Sequence, residues 1–123
     1  MFKNTDYNVN RHSNSKLKFV LGVQIYNQIK FINNEIQKDL IKLIERNFIQ
    51  CHKCSIENIE IEDESSIKIY FEAPMNLILP NIISNFKTVS SRFMKKKYEK
   101  ELIELSLNEK FWDSKYYLRT REA

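Results

Sequence analysis

The residues best able to do chemistry lie in one run, Asn85-Phe86-Lys87-Thr88-Val89-Ser90-Ser91-Arg92-Phe93-Met94-Lys95-Lys96-Lys97-Tyr98. At helical spacing Lys87, Ser91 and Lys95 form one stripe and Thr88, Arg92 and Lys96 the next. Residues three and four apart are neighbours on a helix surface, so cations and hydroxyls meet there as a phosphate-binding face. Ile82, Phe86, Val89 and Phe93 then fall on the opposite, core-facing side. Between Leu79 and Lys100 there are six Lys or Arg against one Glu, whereas the whole chain carries only +4. The remainder is therefore slightly acidic. A lysine run at a helix C-terminus also offsets the helix dipole and is often only solvated, so the run has a structural reading beside the binding one.

Such a helix needs a scaffold, and 123 residues with 42% hydrophobic content suffice for one core in one domain. Residues 1–15 read as a flexible polar arm containing Arg11 and His12, and 16–123 as the folded domain. Leu17, Phe19, Leu21, Val23 and Ile25 alternate as a strand, with Gly22 a bulge or a point of close approach. Asn34 caps a helix to about Ile49 through Ile36, Leu40, Leu43, Ile44 and Phe48. Ile59 and Ile61, the turn Asp63-Glu64-Ser65, and Ile67, Ile69 and Phe71 predict a hairpin. Pro80 opens the basic helix to about Tyr98, a further helical stretch holds Leu102, Ile103, Leu105 and Leu107, and a last strand spans 114–120. The order is βαββαβ, an α+β, ferredoxin-like sandwich with an antiparallel sheet, two helices on one face and the other face open.

No stretch approaches the roughly 18 apolar residues of a membrane span, and no signal-peptide core opens the chain, so a cytoplasmic protein is expected, with no membrane partner. The pair in Cys51-His52-Lys53-Cys54 is one C-x-x-C, whereas structural zinc commonly takes two such pairs and a redox pair opens a helix after a strand. Reduced, partly buried thiols are expected, with no metal and no cofactor. Glu57, Glu60, Glu62, Asp63 and Glu64 read as a solvated edge. No Gly-rich phosphate loop or Ser-His-Asp set is present.

Ala73-Pro74-x-Asn76-Leu77, Asn85-x-Lys87-x-Val89-Ser90-Ser91-Arg92 and Phe111-Trp112-x-x-x-Tyr116-Tyr117, with Asn10-Arg11-His12-Ser13 ahead of them, give the chain its one family resemblance. In order and spacing it resembles the small HUH-type single-tyrosine transposases (TnpA-like). In that family the third strand carries a His-hydrophobic-His pair that holds a divalent metal, and a tyrosine on a C-terminal helix attacks a DNA phosphodiester. The resemblance places the histidine positions on Ser66 and Lys68, around Ile67. A hydroxyl and an ammonium do not replace two imidazole lone pairs, and a protonated Lys68 repels a cation. Lys68 either neutralises a phosphate in that place or is simply solvated.

The family's tyrosine helix would follow Thr120, and the sequence ends at Ala123, so the nucleophile has no matching position; Tyr116 and Tyr117 match the final strand instead. The resemblance thus implies a domain without the catalytic C-terminal helix. The expectation is a catalytically inactive, domesticated DNA-binding protein, not an enzyme, which recognises a DNA hairpin or specific site as a homodimer and serves as a regulator or repressor. Lys87, Arg92, Lys95, Lys96 and Lys97 would bind phosphates, Thr88, Ser90 and Ser91 would add neutral hydrogen bonds, and Arg11, His12 and Lys68 would add further contacts. A dimerisation or protein-interaction module without nucleic acid, and an RNA-binding regulator, are the alternatives, with Tyr70 the one obvious stacking aromatic on a central strand.

Overall fold

The computed structural model describes residues 16–121. Strand β1 (Lys16–Ile25) is followed by helix α1 (Asn34–Ile44), whose N-cap is Asn33 rather than Asn34. The Asn33 side chain accepts from the Ile36 N–H at 3.0 Å, satisfying one of the donors a helix start leaves open. The helix runs on as a π-helical segment, Glu45–Cys51, in which Asn47 and Phe48 are both buried. Phe48 packs edge-on against Phe71 and Phe86, with centroids 5.0 and 5.8 Å away.

Strands β2 (Ser55–Glu62) and β3 (Ser66–Pro74) form the expected hairpin, with Asp63 and Glu64 at positive φ in its tight turn. Helix α2 (Leu79–Lys97) carries Pro80 in its first turn, a short α3 (Glu99–Glu104) follows, and β4 (Trp112–Arg121) closes the fold. The sheet order is β2-β3-β1-β4 and every pairing is antiparallel, which is the ferredoxin-like arrangement.

Strand alternation sorts the sheet into two faces. Phe19, Leu21, Val23 and Ile25 of β1 and Ile67, Ile69, Phe71 and Ala73 of β3 are buried in the cluster that also holds Leu40, Ile82 and Phe86. Their alternates make the opposite face, which is left uncovered among the described residues. Among them Gly22 pairs with both Lys68 and Tyr117, and Val20 with both Tyr70 and Arg119, so each pair of rows lines up across three strands. No helix among the described residues is long and apolar enough to cross a membrane.

Candidate nucleic-acid interface

The sequence places the basic helix correctly but not its rotation. The buried stripe of α2 is Ile82, Ile83, Phe86, Ser90 and Met94, whereas Val89 and Phe93 are 37% and 36% exposed. Ser90 is the reason. Its Oγ donates to the Phe86 carbonyl at 2.6 Å and accepts from the Trp112 indole N–H at 2.8 Å, both inside the core. A buried indole requires an acceptor, and the helix supplies one by turning Ser90 inward. Ser90 is therefore a core residue and is removed from the DNA-binding set.

Thr88, Ser91, Arg92 and Lys95 do come together, along an open groove of about 350 Å³ between α2 and the segment Glu109–Trp112, where Lys110 joins them. Lys87 lines the same groove, but its ammonium donates to the Asp113 carbonyl at 2.8 Å and to that of Ser114 at 3.4 Å. It also lies over the Tyr116 ring, 5.7 Å from the centroid. Burial pushes its pKa down from the usual lysine value, against the smaller pull of Asp113. Lys87 thus pins the start of β4 to α2 and has only part of its charge to offer a ligand. Lys95 donates to the Glu109 carbonyl at 3.3 Å, at the groove's rim.

Lys96 is exposed and lies outside the groove lining. Lys97 is engaged elsewhere: its Nζ is 2.9 Å from Asp39 Oδ2, which also accepts from the Tyr98 hydroxyl. Those contacts join α2 to α1. Arg92, Lys95 and Lys110 have no carboxylate within ion-pair distance among the described residues. Arg11 and His12 lie outside the described residues.

On the uncovered sheet face, Gly22, Gln24, Glu62, Ser66, Lys68, Lys115 and Tyr117 line a second pocket of 320 Å³. The Tyr117 ring lies across Gly22 so closely that a Cβ there would stand 2.5 Å from a ring carbon. Gly22 is the close-approach point its place in the strand foretold. Arg119 covers the Tyr117 ring at 5.2 Å and Arg121 the Tyr70 ring at 5.4 Å. Glu57 pairs with Arg121 and, at 3.1 Å, with Lys18, while Glu60 accepts from the Tyr70 hydroxyl at 3.0 Å. The acidic strand is thus partly spent on neutralising its neighbours rather than simply solvated.

Arg119, Lys115 and Lys110 were not among the residues singled out from sequence, and Tyr117 was named there only as a residue of the final strand. The alternation Lys115-x-Tyr117-x-Arg119-x-Arg121 was the available signal, since it puts four such side chains on one sheet face.

The metal centre implied by the resemblance does not fit this pocket. The Lys68 ammonium lines it, Ser66 donates its hydroxyl to the Glu62 carbonyl at 3.4 Å, and Glu62 is the one carboxylate on its wall. No group of three or more His, Cys, Asp or Glu suited to a metal occurs among the described residues. In the C-x-x-C, Cys51 is exposed and Cys54 buried, both as free thiols, and burial pushes the Cys54 pKa up to about 11.

The ferredoxin-like architecture is shared by nucleic-acid-binding and metabolic proteins alike, so the fold by itself names no function. The chain belongs to the IS200-like transposase family, whose model matches residues 11–123. The structure is similar to that of a Deinococcus radiodurans R1 protein assigned as a transposase, with a TM-score of 0.77 and 16% identity. That match covers 99% of this chain and 87% of the other. No curated protein sequence matches the chain.

These findings correct the expectation of a non-enzyme. It rested on Ser66, Lys68 and an unmatched tyrosine helix, yet the family model matches residues 11–123, Ser66 and Lys68 included, and the family is one of enzymes. Substitution at two positions identified by resemblance is not a demonstration of lost activity.

Proposed function

We propose that this transposase-family domain recognises DNA, a hairpin or a specific site, through the groove between α2 and the Glu109–Trp112 segment. The observation that carries the reading is the convergence of Arg92, Lys95 and Lys110, unpaired with carboxylates among the described residues, beside Thr88 and Ser91. Arginine and lysine there supply phosphate contacts that fix register and affinity, and the two hydroxyls add shorter-range hydrogen bonds. Lys96, exposed one turn beyond Arg92, extends the same cationic surface. A homodimer belongs to this reading, supported by the ten-residue edge strand β4, whose outer backbone edge pairs with no other strand among the described residues. Occupancy of a site overlapping a promoter would give the regulator or repressor role.

The test is competition binding at fixed ionic strength between an imperfect DNA hairpin, its linear duplex, its single strand and the matching RNA hairpin. Preference for the DNA hairpin or for one DNA sequence supports the reading. Equal affinity for all four, or no binding at low salt, contradicts it.

A further inference from the structure

Helices α1 and α2 run antiparallel, side by side on the sheet, and are tied at both ends of one seam. At one end the Asn47 amide donates to the Asn85 side-chain carbonyl, and at the other Lys97 Nζ stands 2.9 Å from Asp39 Oδ2. Asn85, Val89, Phe93 and Lys97 recur four apart, as do Asp39, Leu43 and Asn47, so each set is one stripe of its helix. The polar ties close the two ends and leave Val89, Phe93 and Leu43 between them. Leu43 is buried, whereas Val89 and Phe93 keep more than a third of their surface in solvent. The Lys97 ammonium, 5.8 Å from the Phe93 centroid, places that ring at the Asp39 end.

Cations rim this apolar stretch. Lys42 and Arg46 come three residues after Asp39 and Leu43, and Arg92 and Lys96 three residues after Val89 and Phe93, so each stands beside the seam on its own helix. All four are exposed, and none has a carboxylate within ion-pair distance among the described residues. The seam's own carboxylate, Asp39, is spent on Lys97 and Tyr98.

Exposed apolar side chains inside a polar rim mark a surface for a partner, and a rim of one sign selects a partner of the other. Nucleic acid matches the cations but brings no apolar face to cover Val89 and Phe93. An amphipathic helix brings both. From Asn85 to Lys97 helix α2 rises about 18 Å, which a partner helix of about three turns spans. The chain's own acidic helix, α3, has six residues and exposes Ile103 while burying Leu102, so a second copy does not supply that length or that apolar stripe.

We infer that the α1–α2 seam docks an acidic amphipathic helix of a partner protein, with its apolar residues on Val89 and Phe93 above Leu43 and its carboxylates on Lys42, Arg46, Arg92 and Lys96. The partner helix packs into the ridge between two helices as a third helix of the layer. Thr88, Ser91 and Lys95 line the groove toward the Glu109–Trp112 segment, so the docked helix leaves that groove open, with Arg92 bordering both. The inference stands on the helix layer and does not depend on the DNA-binding reading.

The experiment titrates the protein with a labelled peptide of about sixteen residues, Leu at every third and fourth position and Glu on the flanks. A scrambled peptide of the same composition and a version with Lys for Glu are the comparisons. The variants are Phe93→Ser, Arg46→Glu and Lys115→Glu, the last making the same charge change on the opposite face of the sheet; circular dichroism and thermal melts establish that each is folded. The patterned acidic peptide is expected to bind wild type at least about ten-fold more tightly than either comparison. Phe93→Ser and Arg46→Glu are each expected to weaken it about ten-fold, and Lys115→Glu to leave it nearly unchanged.

Equal binding of the patterned and scrambled peptides, or equal losses in Arg46→Glu and Lys115→Glu, would overturn the inference by showing attraction to net charge alone. Wild-type binding by folded Phe93→Ser would overturn it as well. Self-association of the protein that Phe93→Ser abolishes, or binding to phosphatidylglycerol vesicles that it abolishes, would give the seam to a second copy or to a membrane surface and likewise overturn it.

Discussion

The Trp112 indole N–H donates to Ser90 Oγ at 2.8 Å across the interface of β4 and α2. That bond sets the rotation of the basic helix, because it commits Ser90 to the core and thereby leaves Val89 and Phe93 half outside. It also decides which of the neighbouring polar residues can face a ligand: Thr88, Ser91 and Arg92 do, and Ser90 does not.

Replacing Ser90 by Ala leaves a buried indole donor without its partner, which costs about 1–3 kcal/mol, offset by a few tenths from alanine's better helix propensity. Urea unfolding should show a net loss of about 1–2 kcal/mol. DNA affinity of the folded variant should be unchanged, since the side chain never reaches the surface. A folded Ser90→Ala protein with weakened DNA binding would return Ser90 to the interface.

Gly22 and Tyr117 form a second coupled pair. A methyl group at Gly22 stands 2.5 Å from the ring, so Gly22→Ala must displace Tyr117 or the strand beneath it, a destabilisation of about 1–3 kcal/mol. Tyr117→Ala removes the obstruction, so the double variant should be less destabilised than the sum of the two single ones by about 1 kcal/mol. Additive losses in a double-mutant cycle would show that the ring does not rest on Gly22 in solution.

Asp39 predicts an acid-side dependence of stability. The Tyr98 hydroxyl and then Lys97 hold its carboxyl below the usual aspartate value, against the opposing effect of burial. A carboxyl depressed in the folded state contributes stability that is present above its unfolded pKa, about 4, and is lost as pH falls through the lower folded value. Asp39→Asn should therefore lower the thermal midpoint at neutral pH and make a shrinking difference as the solution becomes acid enough to protonate the carboxyl in the folded protein. A difference that persisted in full at that acidity would place the role of Asp39 in packing and not in charge.

The fold was legible because its signals are periodic. Leu17 to Ile25 and Ile67 to Phe71 alternate as strands on one core face, Pro80 marks a helix start, and the Asp63-Glu64 turn closes the hairpin. Its errors fall where one long-range bond overrides periodicity. Val89 and Phe93 are apolar at helical spacing, but no periodic pattern contains the demand of a buried indole twenty-two residues away. Asn33 rather than Asn34 caps α1 because both are competent caps and only backbone geometry separates them. The cationic run was visible as charge, whereas its division into groove residues, the anchored Lys87 and the Asp39-bound Lys97 depends on partners far away in sequence. The β4 face escaped notice because Tyr117 becomes a platform only when Gly22 of a distant strand lies beneath it.

The central claim is that the α2 groove binds DNA phosphates, and the most direct measurement is the salt dependence of binding for the triple variant Arg92→Ala, Lys95→Ala, Lys110→Ala. Lys87 is left in place because it holds β4. Each phosphate contact releases counterions, so losing three should weaken binding to every DNA sequence and lower the log-log salt slope by roughly two to three units, near 0.7–0.9 per contact. Arg92 and Lys110 are exposed and Lys95 gives up one hydrogen bond at the groove's rim, so the thermal midpoint should change little. A folded triple variant with wild-type affinity and wild-type slope would contradict the account, and would make the basic helix a solvated surface of a protein that holds its DNA elsewhere.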